Sequence, residues 1–198
     1  MNCPEIPVNP RTSETHLLQI AEIESPAGGF IGMTFCPGKR NPGAMTGPWD
    51  RDLLTDLKVV SAWRTRVLIT LMEDHELVQL GVPAIGETTR SLGMTWYHLP
   101  IRDVSVPDSY FEIAWKRAGA ELRQRLIAGA RIVIHCKGGL GRTGLIAARL
   151  LIELGESPGR ALRHVRKERP GAVETREQED YVLRKVPALL AMRSSSGK

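Results

Sequence analysis

Cys136 and Arg142 stand at the two ends of a short glycine-rich stretch, His135-Cys136-Lys137-Gly138-Gly139-Leu140-Gly141-Arg142-Thr143-Gly144. The chemistry such a pair suggests is phosphoryl transfer to sulfur. A thiol in the field of a helix N-terminus and beside a guanidinium is expected to ionise near neutral pH and to act as a nucleophile. Arg142 offers a planar fork that can hold two oxygens of one phosphate, which the point charge of a lysine cannot match. Thr143 follows directly, and its hydroxyl can donate to the sulfur both before attack and when the sulfur leaves. His135 is expected to tune and orient the cysteine; a buried structural histidine is the plainer alternative.

The elements that must position these groups lie on either side. Residues 131–134, Arg-Ile-Val-Ile, read as a buried strand, and the apolar run after Thr143 reads as a buried helix ending near Gly155. Gly138, Gly139 and Gly141 between them allow a backbone that a Cβ would resist. Strand, tight loop and helix N-terminus together make an anion cradle, with the N–H groups of Lys137 to Arg142 turned inward. Taken singly these signals are weak. A lone cysteine at a strand end is usually a small buried hydrophobe, and a nucleotide-binding loop would need Gly-Lys-Ser/Thr where Gly141 is followed by Arg142. Specificity comes from their combination.

That combination resembles the signature loop of the cysteine-dependent protein tyrosine phosphatase superfamily. Over about residues 30–190 the chain is similar to small dual-specificity phosphatases, in particular the cyclin-dependent kinase inhibitor 3-like (kinase-associated phosphatase) and Cdc14-like groups. The resemblance implies a two-step hydrolysis through a phosphocysteine, with no metal and no cofactor. It also implies a phosphorylated protein or small phosphoester as substrate, phosphotyrosine with or without phosphoserine and phosphothreonine, and a loop that binds phosphate, sulfate or vanadate. A monomer in the cytoplasm is the matching expectation. Two rival readings are an inositol phosphate or phosphoinositide phosphatase and a catalytically inactive phospho-binding module. Lys137 resembles the first loop lysine of the inositide class, but Leu140 replaces its second. Intact Cys136, Arg142 and Asp103 speak against the inactive module.

A phosphate ester also needs a proton on its leaving oxygen. The segment Leu99-Pro-Ile-Arg-Asp103-Val-Ser-Val-Pro-Asp108 follows a strand, at the edge where ligand crevices of parallel sheets lie. In the resembling family a Pro-Ile-x-Asp segment carries the acid, which falls on Asp103. Asp108 is the competitor, although Pro107-Asp108-Ser-Tyr-Phe reads as a capped helix start. Further on, residues 169–178 resemble the segment that supports the catalytic water. Gln178 is the candidate there, with Glu174 where the family often has Gln. A capping box formed by Thr175 and Gln178 explains the same residues without catalysis.

With 198 residues and 42% hydrophobic content the chain is long enough for one well-buried domain. We expect an extended arm over residues 1–12, the phosphatase domain over 13–192 and a disordered tail over 193–198. No run approaches the roughly 18 apolar residues of a membrane span, and the N-terminus lacks the basic start and apolar centre of a secretory signal. Three cysteines, Cys3, Cys36 and Cys136, argue for a reducing compartment rather than a disulfide framework. Cys36 and Cys136 are a conceivable oxidised pair. The net charge of +5 suits an anionic substrate, and the absence of a basic block with interleaved aromatics speaks against nucleic acid.

Strand signals fall at residues 17–24, 30–35, 66–72, 95–99 and 131–134. Helical patterns fall at 50–62, 88–92, 108–128, 143–154, 157–168 and 175–190. The stretch 36–48 is too rich in Pro and Gly for regular structure, and residues 73–76 read as a helix start or loop, with His75 on a solvated surface. In the helix after Asp108 the expected core residues are Phe111, Ile113, Ala114, Ala118, Leu122, Leu126 and Ile127. Strands alternating with helices give an α/β domain: a mostly parallel, twisted sheet of about four to five strands, flanked by helices on both faces.

Overall fold

The computed structural model of the chain describes residues 9–44 and 46–189. β1 (Ala21–Glu24) turns into β2 (Phe30–Phe35), and two short strands, β3 (Arg40–Asn41) and β4 (Trp49–Asp50), then pair with each other. There follow α1 (Leu53–Ala62), β5 (Thr65–Thr70), α2 (Asp74–Gln79), α3 (Ile85–Ser91), β6 (Thr95–His98) and α4 (Ser109–Ile127). The chain continues through β7 (Arg131–Cys136), α5 (Gly141–Glu153), α6 (Pro158–Glu168) and α7 (Arg176–Arg184).

The main sheet has five strands in the order β1-β2-β7-β5-β6. Only β1 runs antiparallel; β2, β7, β5 and β6 are parallel. This is the mostly parallel α/β sheet expected from the sequence. α1 and α3 pack on β5 and β6, while α4, α5 and α6 pack on β7, β2 and β1. Central β7 is therefore buried from Ile132 onward, which is why it reads as a continuous apolar run. Crevices of such sheets open beyond the carboxyl ends of the strands, and here β2 ends at Phe35, β7 at Cys136 and β5 at Thr70.

Helix α5, which carries the loop, is buried at every position, Arg149 and Glu153 included. Their charges are matched on the spot. Arg149 donates to Glu112 at 2.6 and 2.8 Å and to Glu153 at 2.8 Å, and Trp115 Nε1 donates to Glu153 at 2.8 Å. Breaking one partner of such a network would strand a buried charge, at a cost of about 3–5 kcal/mol.

Several local expectations shift. α4 turns Phe111, Trp115, Ala118, Gly119, Leu122 and Leu126 inward, whereas Ile113 and Ile127 are 67% and 53% exposed and Ala114 is exposed as well. Trp115 fills the face that was given to Ile113 and Ala114. On α1, Leu54 faces solvent and Asp56 is buried, because Asp56 holds the buried Arg51 through bonds of 2.7 and 2.8 Å. α7 stops at Arg184 rather than continuing to 190; Pro187 disfavours helical backbone at the residue before it and cannot continue the ladder. The expected tail and most of the expected arm, with Cys3, lie outside the described residues.

Candidate active site

The loop from Cys136 to Arg142 links β7 directly to the first turn of α5. Gly139 has φ +70°, and a Cβ there would meet the backbone of Thr34 and Phe35 at 2.4 and 2.5 Å. Only glycine can take that conformation and that contact together, so the loop is seated on the end of β2. Arg169, just after α6, braces it from outside: Nε donates to Gly139 O at 3.1 Å and Nη2 to Gly138 O at 3.2 Å. With those carbonyls turned outward, loop N–H groups are left for the hollow. The N-cap of α5 is Leu140, which has no side-chain oxygen to spend on the first turn, so apart from the Gly141 N–H no side-chain cap occupies those donors.

Arg142 is 2% exposed and held by the fold. Nη1 donates to Glu76 Oε2 at 2.6 Å and Ile101 O at 3.0 Å, and Nη2 donates to Glu76 Oε1 at 2.9 Å. Burial opposes both charges, and this bidentate bond more than offsets it: the arginine's pKa is raised and the glutamate's lowered. Glu76 itself is fixed by accepting from the Glu73 N–H at 2.9 Å, at the start of α2. Sequence reasoning missed Glu76, since a glutamate three residues after Glu73 looks like a capping partner and nothing more.

Asp103 lies on the same guanidinium. Its Oδ1 is 2.8 Å from Arg142 Nη2, while its side chain stays 52% exposed and so can leave. The residue after it, Val104, has φ +61°, a strained conformation for a β-branched side chain. Asp108 is engaged otherwise: it caps α4 by accepting from the Phe111 N–H at 2.8 Å.

Thr143 is buried, and its hydroxyl has no hydrogen-bond partner among the described residues. His135 is buried on the far side of the strand, with Nε2 2.7 Å from Thr70 Oγ1, which also accepts from Trp96 Nε1 at 2.8 Å. Burial pushes its pKa down to about 3 and keeps it neutral. Lys137 and Gly138 are exposed at the lip.

Gln178 makes the capping box with Thr175 and more. Its Oε1 accepts from Glu174 N at 3.0 Å and its Nε2 donates to Ser105 O at 3.2 Å, tying the Asp103 loop to α7. Glu174 Oε2 accepts the Gly141 N–H at 2.7 Å, so a carboxylate of the chain itself sits on one loop donor. Gly141 admits this approach: a Cβ there would come within 2.5 Å of Glu174 Oε2. Cys36 is a free, fully buried thiol whose pKa burial pushes upward, and its N–H donates to Lys137 O at 3.4 Å.

Comparison with known proteins agrees with this architecture. The family model described as "Polymorphic toxin system, DSP-PTPase phosphatase" matches residues 44–156. Cyclin-dependent kinase inhibitor 3 of Rattus norvegicus is 36% identical over 174 residues, 84% of this chain and 77% of that protein. Among solved structures, kinase associated phosphatase with its catalytic site cysteine substituted by serine aligns with a TM-score of 0.73 and 26% identity. That match covers 83% of this chain and 92% of the other. Tk-PTP in the active form aligns with a TM-score of 0.61 and 28% identity, over 81% and 92% of the two chains.

Proposed function

The chain belongs to the dual-specificity phosphatase family, hydrolases of phosphoric monoesters, and from that premise we propose that it dephosphorylates protein side chains through a phosphocysteine on Cys136. Phosphotyrosine, with or without phosphoserine and phosphothreonine, is the substrate class in this reading. The observation that carries it is the Arg142 guanidinium, fixed by Glu76 at one end of the loop, with the departing carboxylate of Asp103 at 2.8 Å and Cys136 at the loop's other end.

The phosphoryl group enters the hollow, and its equatorial oxygens take the loop N–H groups and Arg142. Asp103 leaves the guanidinium for the leaving oxygen. Once off the guanidinium, Asp103 takes up a proton from solvent; the Cys136 sulfur attacks phosphorus, the S–P bond forms, the ester O–P bond breaks, and Asp103 passes that proton to the departing alcohol or phenol. In the second step water attacks the phosphocysteine. Asp103, now a carboxylate, accepts the water's proton, the S–P bond breaks and phosphate departs. Thr143, with its unpaired hydroxyl, stabilises the sulfur as it leaves. Gln178 holds the acid loop and the Glu174 segment in place for the water.

Cys136→Ser should lower turnover of nitrophenyl phosphate by about 10^4–10^6 while phosphate or vanadate still binds. Undiminished hydrolysis by that variant would remove the covalent step from the mechanism. A phosphopeptide panel run alongside inositol phosphates tests the substrate class, and faster turnover of the inositol phosphates would replace it.

A further inference from the structure

On the β2 side of the loop stands a cation that the mechanism above leaves unused. Lys39 is 8% exposed, yet among the described residues no carboxylate pairs with its ammonium and no hydrogen bond is made to it. The Nζ lies instead 4.7 Å from the centroid of the Phe35 ring and 4.0 Å from that of Trp49. Aromatic faces attract a cation by about 0.5–2 kcal/mol, less than the roughly 1.5–3 kcal/mol of a charge-assisted hydrogen bond to a carboxylate. The neighbouring cation in the same aromatic cage is treated differently: Arg51 has the buried Asp56 as a bidentate partner.

The register shows which way this unmatched charge faces. Phe35 pairs with Cys136 across parallel β2 and β7, and residues paired across two strands present their side chains on the same face of the sheet. The ring under the Lys39 ammonium is thus next to the cysteine, and the loop's Gly139 rests on the Thr34–Phe35 backbone at the same place. Lys39 reaches this position through the turn after β2, its N–H donating to Cys36 O at 3.4 Å.

We propose that Lys39 is a second oxyanion-binding cation of the active site, on the sulfur side of the loop, and that a bound phosphoryl dianion is the partner of its ammonium. This rests on the reading of the Cys136 loop as the phosphate site and adds to it a cationic wall opposite Arg142. It also makes binding depend on the state of the amine. Burial, with smaller pushes from Arg51 and Arg169, brings the Lys39 pKa down to about 8 against the pull of the Cys36 and Cys136 thiols. The amine is charged below that pH and neutral above it.

The experiment is calorimetric binding of sulfate, whose charge stays fixed over the range, to wild type, Lys39→Arg and Lys39→Met across pH 6–10, with thermal melts as a control for folding. Wild-type affinity should fall as pH rises through about 8. Lys39→Arg should keep its affinity to higher pH, and Lys39→Met should bind about 10- to 100-fold more weakly at pH 6, the loss expected for one charge-assisted contact. If Lys39→Met binds as wild type does, or if Lys39→Arg shows the same decline above pH 8, the proposal is wrong. Failure of wild type itself to bind sulfate or hydrolyse aryl phosphates would instead overturn the underlying phosphate-site reading. Should Lys39→Met not fold, the wild-type and Lys39→Arg pH profiles decide alone.

Discussion

The two ends of the Cys136–Arg142 loop are held by opposite electrostatics. At the arginine end the chain's own acids hold three donors: Glu76 and Asp103 on the two Nη groups of the guanidinium, Glu174 on the Gly141 N–H. At the cysteine end the neighbours are Lys39, set against aromatic rings, Arg169, bonded to loop carbonyls, and the neutral Cys36 thiol; no carboxylate pairs with either cation among the described residues. The difference shows how the two walls of one loop can be held by different means. One wall satisfies its cation with two of the chain's own carboxylates, the buried Glu76 and the half-exposed Asp103, and sets a third, Glu174, on a loop N–H. The other sets its unmatched charge over ring faces, where burial lowers its pKa.

The largest effect on this contrast should come from Asp103, the carboxylate that moves in the proposed mechanism. Asp103→Ala should lower kcat by about 10²–10⁴ with poor leaving groups and by much less with nitrophenyl phosphate, since a good leaving group needs little protonation. Asp108→Ala sharpens the test. It removes the α4 cap and should cost about 0.5–2 kcal/mol of stability with little change in kcat. If the two variants exchange these behaviours in leaving-group assays and thermal melts, the acid has been assigned to the wrong residue.

Glu76 comes next, because it is the acid that stays. Glu76→Ala leaves a buried guanidinium with backbone carbonyls and the half-exposed carboxylate of Asp103, and should destabilise the fold by about 3–5 kcal/mol while lowering kcat/KM with leaving groups of every quality. That uniform loss distinguishes a residue that positions Arg142 from one that transfers a proton. Denaturant melts and a leaving-group series measure both parts. A variant as stable and active as wild type would show that loop and backbone alone fix the arginine.

How far these roles were legible in the sequence follows from the range of the signals. β2 was read at its observed bounds, and the strand, loop and helix around Cys136, the Asp108 cap and the Thr175–Gln178 box were all recognised, because periodicity, glycine and capping act over a few residues. Glu76 is 66 positions from Arg142; its pairing depends on α2 and α5 opening at the same sheet edge, which no local pattern encodes. Lys39 was hidden for a related reason. Residues 36–48 were read as irregular, correctly for the most part, but the value of that stretch lies in which strand end it covers. The face of α4 was misjudged because Ile113 and Trp115 are both apolar, and only packing against Glu153 chooses the tryptophan.

The smallest effect, and the one that probes the comparison most directly, concerns Glu174. Its carboxylate stands 2.7 Å from a loop N–H that an incoming oxyanion would use, so a bound dianion must either displace it or tolerate it nearby. Two like charges at about 4 Å repel by about 1 kcal/mol in water and more where the dielectric is lower, and Glu174 is exposed, which favours the weak end of that range. Glu174→Gln keeps the shape and an amide oxygen that can still accept from Gly141 but removes the charge. Sulfate should then bind about five-fold more tightly, with the gain shrinking as salt is added. Were Glu174 instead a structural brace, the same substitution would leave affinity unchanged or weaken it, and the arginine end of the loop would owe its readiness to Glu76 and Asp103 alone.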